Sequence, residues 1–459
     1  MRIKKLTVVN LFDMFNHEVD MNLDDRITII HGVNGIGKTA LLRLINAVFN
    51  RQIPVLQSIP YDKFRIDFDN GTFIEFNKTA SKAKEPKSEK VATARDEIKI
   101  SWKQKGKRVI KGEILDSFDP RDLTFPLSFF ERYIPGLRRV AAATWVYGPK
   151  NETLTIDEVV NRFAARLPIP SRMKKYGFPK EVDDILQEIK VRLIRAQRLL
   201  VLPDDGGEEI GRYGKDDERK QKVSEAVETY SLELRDKIKT ILTESSTLTQ
   251  SLDRTFPQRL IDSYGRSDKV TNVSKDELSK RLENVEKKRN FLMSVGLYDL
   301  AKEKIDNPVL NNEDMIRVLT VYVEDTEKKL MIFDELANKI SVLIEVINGR
   351  FQFKEMTIDK EKGFVFKVGD KNLYPTDLSS GEQHEIVLVY ELLFQTGPDT
   401  LVLIDEPELS LHVGWQIKFL EDLRRIISLS EIDVLVATHS PQIINNRWDL
   451  TVKLDGIEE

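Results

Sequence analysis

The chain has 459 residues, 41% hydrophobic and 8% aromatic, which is enough for two or three domains with real cores. Charged residues reach 32% but the net charge is only −4, so the charge is mixed in sign, suits long solvated helices and weighs against a concentrated basic face for nucleic acid. There is no cysteine, which excludes disulfides and zinc–thiolate sites, and neither a signal-peptide apolar stretch nor a bilayer-length apolar run is found; a soluble, cytoplasmic protein with no membrane partner is expected.

In chain order, residues 3–9 and 17–23 alternate as short strands. Residues 27–42, ITIIHGVNGIGKTALL, are a β-branched run, a glycine-rich loop and a helix-forming segment. Gly32, Gly37, Lys38 and Thr39 fit G-x-x-x-x-G-K-[ST], in which backbone N–H groups wrap phosphates, the lysine reaches the β and γ oxygens and the hydroxyl ligates Mg²⁺. The competing reading is an ordinary glycine turn, and the flanking strand and helix argue against it. Asn34 and Gly35, inside the loop, join Gly37, Lys38 and Thr39 as candidate nucleotide-binding residues.

Residues 64–68 and 72–76 flank Asp69-Asn70-Gly71 as a hairpin, and 96–102 with 108–115 read as another strand pair. Residues 81–90, SKAKEPKSEK, are a charged loop; its lysines are diluted by glutamates, so a solvated loop is favoured over a nucleic-acid contact. Helix-like segments follow at 127–133 and 156–165, then a Pro-interrupted basic connector at 166–176. Residues 191–195 read as a strand ending just before Gln197. After the break at 203–207, apolar residues recur at helical spacing over 216–244, 275–295 and, most regularly, 313–348. The last pattern predicts an unbroken coiled-coil seam; one long amphipathic helix packed on the rest is the alternative. Strands are predicted again at 351–353, 364–368 and 372–374, and a helix over 386–394.

The last part of the chain carries two carboxylates on an apolar strand, TLVLIDEPELSLH, which delivers Asp405 and Glu406 to an exposed tip. Asp405 is the expected Mg²⁺ ligand opposite Thr39, and Glu406 the base that orients and deprotonates an attacking water. A further buried strand, 433–437, ends at Thr438-His439-Ser440-Pro441, where His439 is placed to donate to a γ-phosphate. His384 and His412 have no companion cluster for metal ligation.

Taken together, GVNGIGKT, the LSSGE run at 378–382, LVLIDEP and ATHS at 437–440 resemble in type and order the motifs of the ABC-type ATPases. The resemblance implies an α/β fold: an ATPase head with a mixed sheet and an antiparallel β subdomain, carrying an inserted helical, short coiled-coil domain. The expected domains are 1–203 and 350–459 for the head and 204–349 for the insertion. It implies ATP and Mg²⁺ as cofactors, and Gln197 as the glutamine that senses Mg²⁺ and water. It also implies that Ser379 and Gly381 contact the γ-phosphate held by a second copy, in a head-to-tail dimer or higher homo-oligomer. The distance between the two halves of the head resembles the SMC-like branch rather than transporter subunits.

EPELSLH followed by THSPQIINNRWDL is similar to stand-alone ATPases of prokaryotic anti-phage systems, including OLD-type nucleases; the compact head with short helices is most like the AriA subunit of PARIS, or the PtuA subunit of Septu. With Glu459 as the last residue no fused nuclease is expected, so the resemblance implies a separate effector of Toprim or HNH type, and a phage trigger protein or nucleic acid, as partners. His412 stands where many relatives have aspartate, and Val413 where proline often follows. Three functions are open: a defence ATPase that holds and regulates a nuclease, a DNA repair or recombination ATPase that clamps duplex, and a nucleotide-gated scaffold with negligible turnover.

Overall fold

The computed structural model describes residues 1–79, 97–115, 130–131, 134, 136–141, 144–147, 152–155, 159, 178–194, 226–265, 273–299, 313–409 and 411–455. It divides into two compact units, Met1–Ser224 with Gln395–Glu459, and Glu225–Phe394. The expected domains put their second boundary before residue 350, whereas the second unit runs on to Phe394.

The first unit opens with β1 (Ile3–Leu11), β2 (Phe15–Asp20), β3 (Ile27–His31), α1 (Lys38–Phe49), α2 (Ile53–Ser58), β4 (Lys63–Phe68), β5 (Phe73–Thr79), β6 (Glu97–Lys103) and β7 (Ile110–Leu115). Six of these strands form an antiparallel sheet in the order β2-β1-β4-β5-β6-β7. Alternating apolar residues bury one face: Phe64 and Ile66 of β4 pair across to Phe76 and Ile74 of β5, and Phe68 pairs with Ile3 of β1. The expected Asp69-Asn70-Gly71 turn is present, with Gly71 at φ 81. A small antiparallel sheet, β8 (Leu137–Ala141), β9 (Thr144–Tyr147) and β10 (Glu152–Thr155), follows, then α3 (Lys180–Gln187) and β11 (Lys190–Ile194). The helices expected at 127–133 and 156–165 and the loop at 81–90 fall wholly or largely outside the described residues.

The second unit begins with α4 (Ala226–Gly265), α5 (Lys275–Ser294), α6 (Glu313–Met331) and α7 (Asp334–Asn348). With 40 residues, α4 is about 60 Å long at 1.5 Å per residue. α6 packs against both α4 and α5, and ion pairs fix the register: Arg259 with the buried Asp325, and Arg281 with Glu327 at 2.7 Å. The seam predicted over 313–348 is therefore not one helix; it breaks at Ile332-Phe333. Its two halves serve different neighbours, α6 facing α4 and α5 while α7 faces the elements that follow, and one straight stripe cannot face both.

Those elements are β12 (Glu355–Asp359), β13 (Gly363–Val368) and β14 (Lys371–Leu373), an antiparallel meander, and α8 (Ser380–Phe394). The strand expected at 351–353 starts instead at Glu355, because Phe351 turns into the core while Phe353 is 81% exposed. α8 starts earlier than expected, within the LSSGE run. β12 packs on α7, β13 on α4, and α8 on both helices, which is why 350–394 belongs to this unit.

The chain returns to the first unit with β15 (Thr400–Asp405), α9 (Val413–Gln416), α10 (Phe419–Ser430), β16 (Asp433–Thr438), α11 (Pro441–Ile444) and β17 (Thr451–Lys453). With β3 and β11 these build a parallel five-stranded sheet in the order β11-β15-β16-β3-β17. Its central strands are continuous apolar runs, as a sheet covered on both faces requires. The registers Asp405↔Ala437 and Thr438↔His31 bring three strand ends to one carboxyl edge. Among the described residues, no helix is long and apolar enough to cross a membrane.

Candidate functional site

At the carboxyl end of β3 the chain enters the loop from Gly32 to Gly37 and turns directly into α1. Gly35 and Gly37 have φ values of 86 and 102, a region that favours glycine. A Cβ on Gly37 would lie 2.5 Å from Leu11 Cδ2, and one on Gly32 would lie 2.9 Å from the Leu454 carbonyl oxygen. The loop is thus packed from both sides, and Asn34, Gly35 and Thr39 remain exposed. The first turn of α1 holds no acidic side chain and its N-cap makes no side-chain hydrogen bond, so its free N–H groups and positive dipole end face the loop. Lys38 is 5% exposed and its ammonium donates to the carbonyls of Gly32 at 2.9 Å and Val33 at 3.1 Å.

Thr39 Oγ1 donates to Asp405 Oδ1 at 3.0 Å, joining the loop to the tip of β15. Burial holds the Asp405 carboxyl above the usual carboxylate range; the neighbouring charges of Glu406 and Glu408 push the same way, opposed by the Thr39 hydroxyl and Lys38. Glu406 has φ 44, a left-handed backbone that costs a non-glycine residue free energy, and its N–H donates to the Ala437 carbonyl at 2.9 Å. The next strand end therefore holds that strained conformation in place.

His439 follows β16. Its Nδ1 lies 3.0 Å from Glu408 Oε1 and 3.9 Å from Glu406 Oε1. The same Glu408 oxygen accepts from Thr438 Oγ1 at 2.7 Å and from the His439 N–H at 2.8 Å. Glu408 is buried, and its second oxygen has no hydrogen-bond partner among the described residues. Gln416 closes the arrangement, accepting from Ser440 Oγ at 2.9 Å and donating to the Glu408 and Leu411 carbonyls.

The structure thus gathers Lys38, Thr39, Asp405, Glu406 and His439 at one sheet edge. Ser379 and Gly381 lie in the second unit at the start of α8, where Ser379 donates to Glu382 Oε2 at 2.8 Å and Glu382 in turn binds Lys354 at 2.6 Å. Ser379 is exposed and Gly381 half-buried, and nothing stands within 4 Å of a Cβ on Gly381. Gln197 lies outside the described residues. Sequence reasoning passed over Glu408 and His17. Glu408 was detectable as the second carboxylate of EPE, aimed back at β16 by the 3₁₀ turn over Pro407–Leu409.

A model of the family described as AAA ATPase domain matches residues 1–444. Among solved structures, the chain is similar to the Smc head domain with an extended coiled coil bound to the C-terminal domain of ScpA, from Pyrococcus furiosus. There the identity is 10%, the match covers 100% of this chain and 94% of that one, and the TM-score is 0.34. It is similar also to the SMC head domain from Thermotoga maritima, at 11% identity over 97% of this chain and 91% of that one, with a TM-score of 0.28. No curated protein matches the chain.

Proposed function

Since the chain belongs to the AAA ATPase domain family, we propose that it binds ATP with Mg²⁺ on the loop at residues 32–39 and hydrolyses it to ADP and phosphate. The observation that carries this is the 3.0 Å contact between Thr39 and Asp405, which joins the ends of the chain beside Glu406. Phosphoryl transfer needs positioning and charge neutralisation more than covalent chemistry. The backbone N–H groups of Asn34, Gly35 and Gly37 take the phosphate oxygens, and Lys38 exchanges its two carbonyl partners for the β and γ oxygens. Thr39 and Asp405 would hold Mg²⁺, which neutralises charge on the phosphates when bound. Glu406 orients and deprotonates the attacking water. His439, whose Nδ1 lies 3.0 Å from Glu408 Oε1, is placed to donate to a phosphate oxygen.

Ser379, exposed just before α8, and Gly381 in its first turn complete a second copy's site across a head-to-tail dimer; Gln197 remains a candidate sensor of the metal and water. The motifs EPELSLH and THSPQIINN support a role in anti-phage defence, with the ATP-bound assembly holding a separate nuclease. Release of phosphate by the wild type and by Glu406→Gln tests the enzyme. A general base contributes about a hundredfold or more, so the variant should retain ATP and lose that much turnover. Equal, appreciable rates would remove Glu406 as the base, and equal rates near zero would leave a scaffold. Co-purification of a nuclease tests the defence role, whereas strongly salt-dependent duplex binding would favour a DNA clamp.

A further inference from the structure

His17 is a buried histidine on β2, in the antiparallel sheet and outside the strands that carry the phosphate loop. It is 3% exposed, and its Nε2 lies 2.8 Å from the carbonyl oxygen of Ile36, in the middle of GVNGIGKT. A carbonyl only accepts, so Nε2 carries the proton and donates. Nδ1 then has no hydrogen-bond partner among the described residues. Buried polar atoms without partners are uncommon in proteins, and a leucine or phenylalanine at this position would leave none. The ring is held by its surroundings, paired across the strand with Val8 and stacked at 5.8 Å on Phe15.

We propose that His17 is a positioning residue for the phosphate cradle, acting through the Ile36–Gly37 peptide. That peptide is planar and trans, so the Ile36 carbonyl and the Gly37 N–H point in opposite directions. A hydrogen bond that pulls the carbonyl toward the β1–β2 hairpin turns the Gly37 N–H away from it, toward the anion. Gly37 is the residue least able to hold this orientation by itself, since without a Cβ it samples positive and negative φ alike. The hairpin braces it at a second point through Leu11, whose Cδ2 fills the space a Gly37 side chain would need. The hairpin is itself anchored: the Phe12 N–H donates to the Pro60 carbonyl at 3.0 Å, and Asn10, Phe12 and Asp13 all hold positive φ in its turn. Preorganised N–H donors bind an anion more tightly than donors that must first be ordered. The antiparallel sheet, not the loop alone, thereby sets nucleotide affinity.

This inference rests on the phosphate-binding reading of the loop, and the experiment separates the two. Full-length wild type, His17→Gln, His17→Leu and Lys38→Ala are titrated with mant-ATP and Mg²⁺. Glutamine can place an amide N–H where Nε2 stands; leucine cannot. His17→Leu should weaken binding about tenfold, the worth of one such hydrogen bond, while His17→Gln stays within about threefold of wild type. Imidazole ¹⁵N shifts of the wild type should show His17 protonated on Nε2 and not on Nδ1. Binding by His17→Leu within about twofold of wild type, or the Nδ1–H tautomer, overturns the proposal; the tautomer decides the matter even where a variant does not fold. Loss of binding in Lys38→Ala with unchanged His17→Leu fells this inference alone, and full binding by Lys38→Ala fells the loop reading together with it.

Discussion

Asp405 concentrates the electrostatic tension of the site. Its carboxyl is held above its ordinary value near 3.8, first by burial and then by Glu406 and Glu408. The folded state thus binds this proton more tightly than the unfolded chain. The associated stability is fully present below the unfolded value and is lost as pH rises through the folded value. Asp405→Asn keeps an oxygen for the Thr39 hydroxyl and discards the charge. At neutral pH without nucleotide it should melt at a higher temperature than wild type, and the difference should vanish in acid below that window. Mg²⁺ with ATP should raise the melting temperature of wild type and not of the variant. Gly37→Ala is expected to do the reverse of a stabilising change. At φ 102 a side chain costs about 1–2 kcal/mol, and the added methyl meets Leu11 Cδ2. Thermal unfolding should show the loss, accompanied by weaker ATP binding.

Among the elements, α8 begins just after the exposed Ser379, holds Gly381 in its first turn and carries a fully buried Glu385 further along. Glu385 pairs with Arg350, which follows α7 and is buried as deeply. Removing one partner from a buried pair strands a charge and costs about 3–5 kcal/mol, whereas replacing both by apolar groups is often neutral. Arg350→Met and Glu385→Leu should each destabilise the chain toward urea, and the double variant should recover most of the loss. A double variant as unstable as the worse single one would mean the pair has no common origin for its cost. The break at Ile332-Phe333 belongs to the same scale. Apolar spacing from Ile316 to Ile347 is continuous and consistent with one helix, yet it records only which residues are buried, not which neighbour buries them.

For the whole molecule, the trans role proposed for Ser379 predicts ATP-dependent association. Mass measurement of Glu406→Gln with ATP should show a dimer or larger assembly that wild type forms only transiently. Ser379→Arg should bind mant-ATP like wild type and remain monomeric. Association of the Ser379→Arg variant to the same extent would end the idea that this serine reaches a second copy's nucleotide.

The strongest sequence signals were local ones. A loop that must wrap phosphate needs glycines, a lysine and a hydroxyl within a few residues, so Gly32 to Thr39 is written in one contiguous run, as are the apolar strand and carboxylates ending at Glu406. Paired strands such as β4 and β5 were equally legible, because a two-fold alternation around Asn70-Gly71 specifies both register and buried face. Contacts between residues remote in the chain leave no such imprint. The EPE run offers Glu408 as a second carboxylate but does not say that its partners will be Thr438 and His439, and nothing near His17 points to Ile36. Such hydrogen bonds depend on distances of about 3 Å that only the packed strands set, and the chemistry of either partner alone is compatible with a plain structural role.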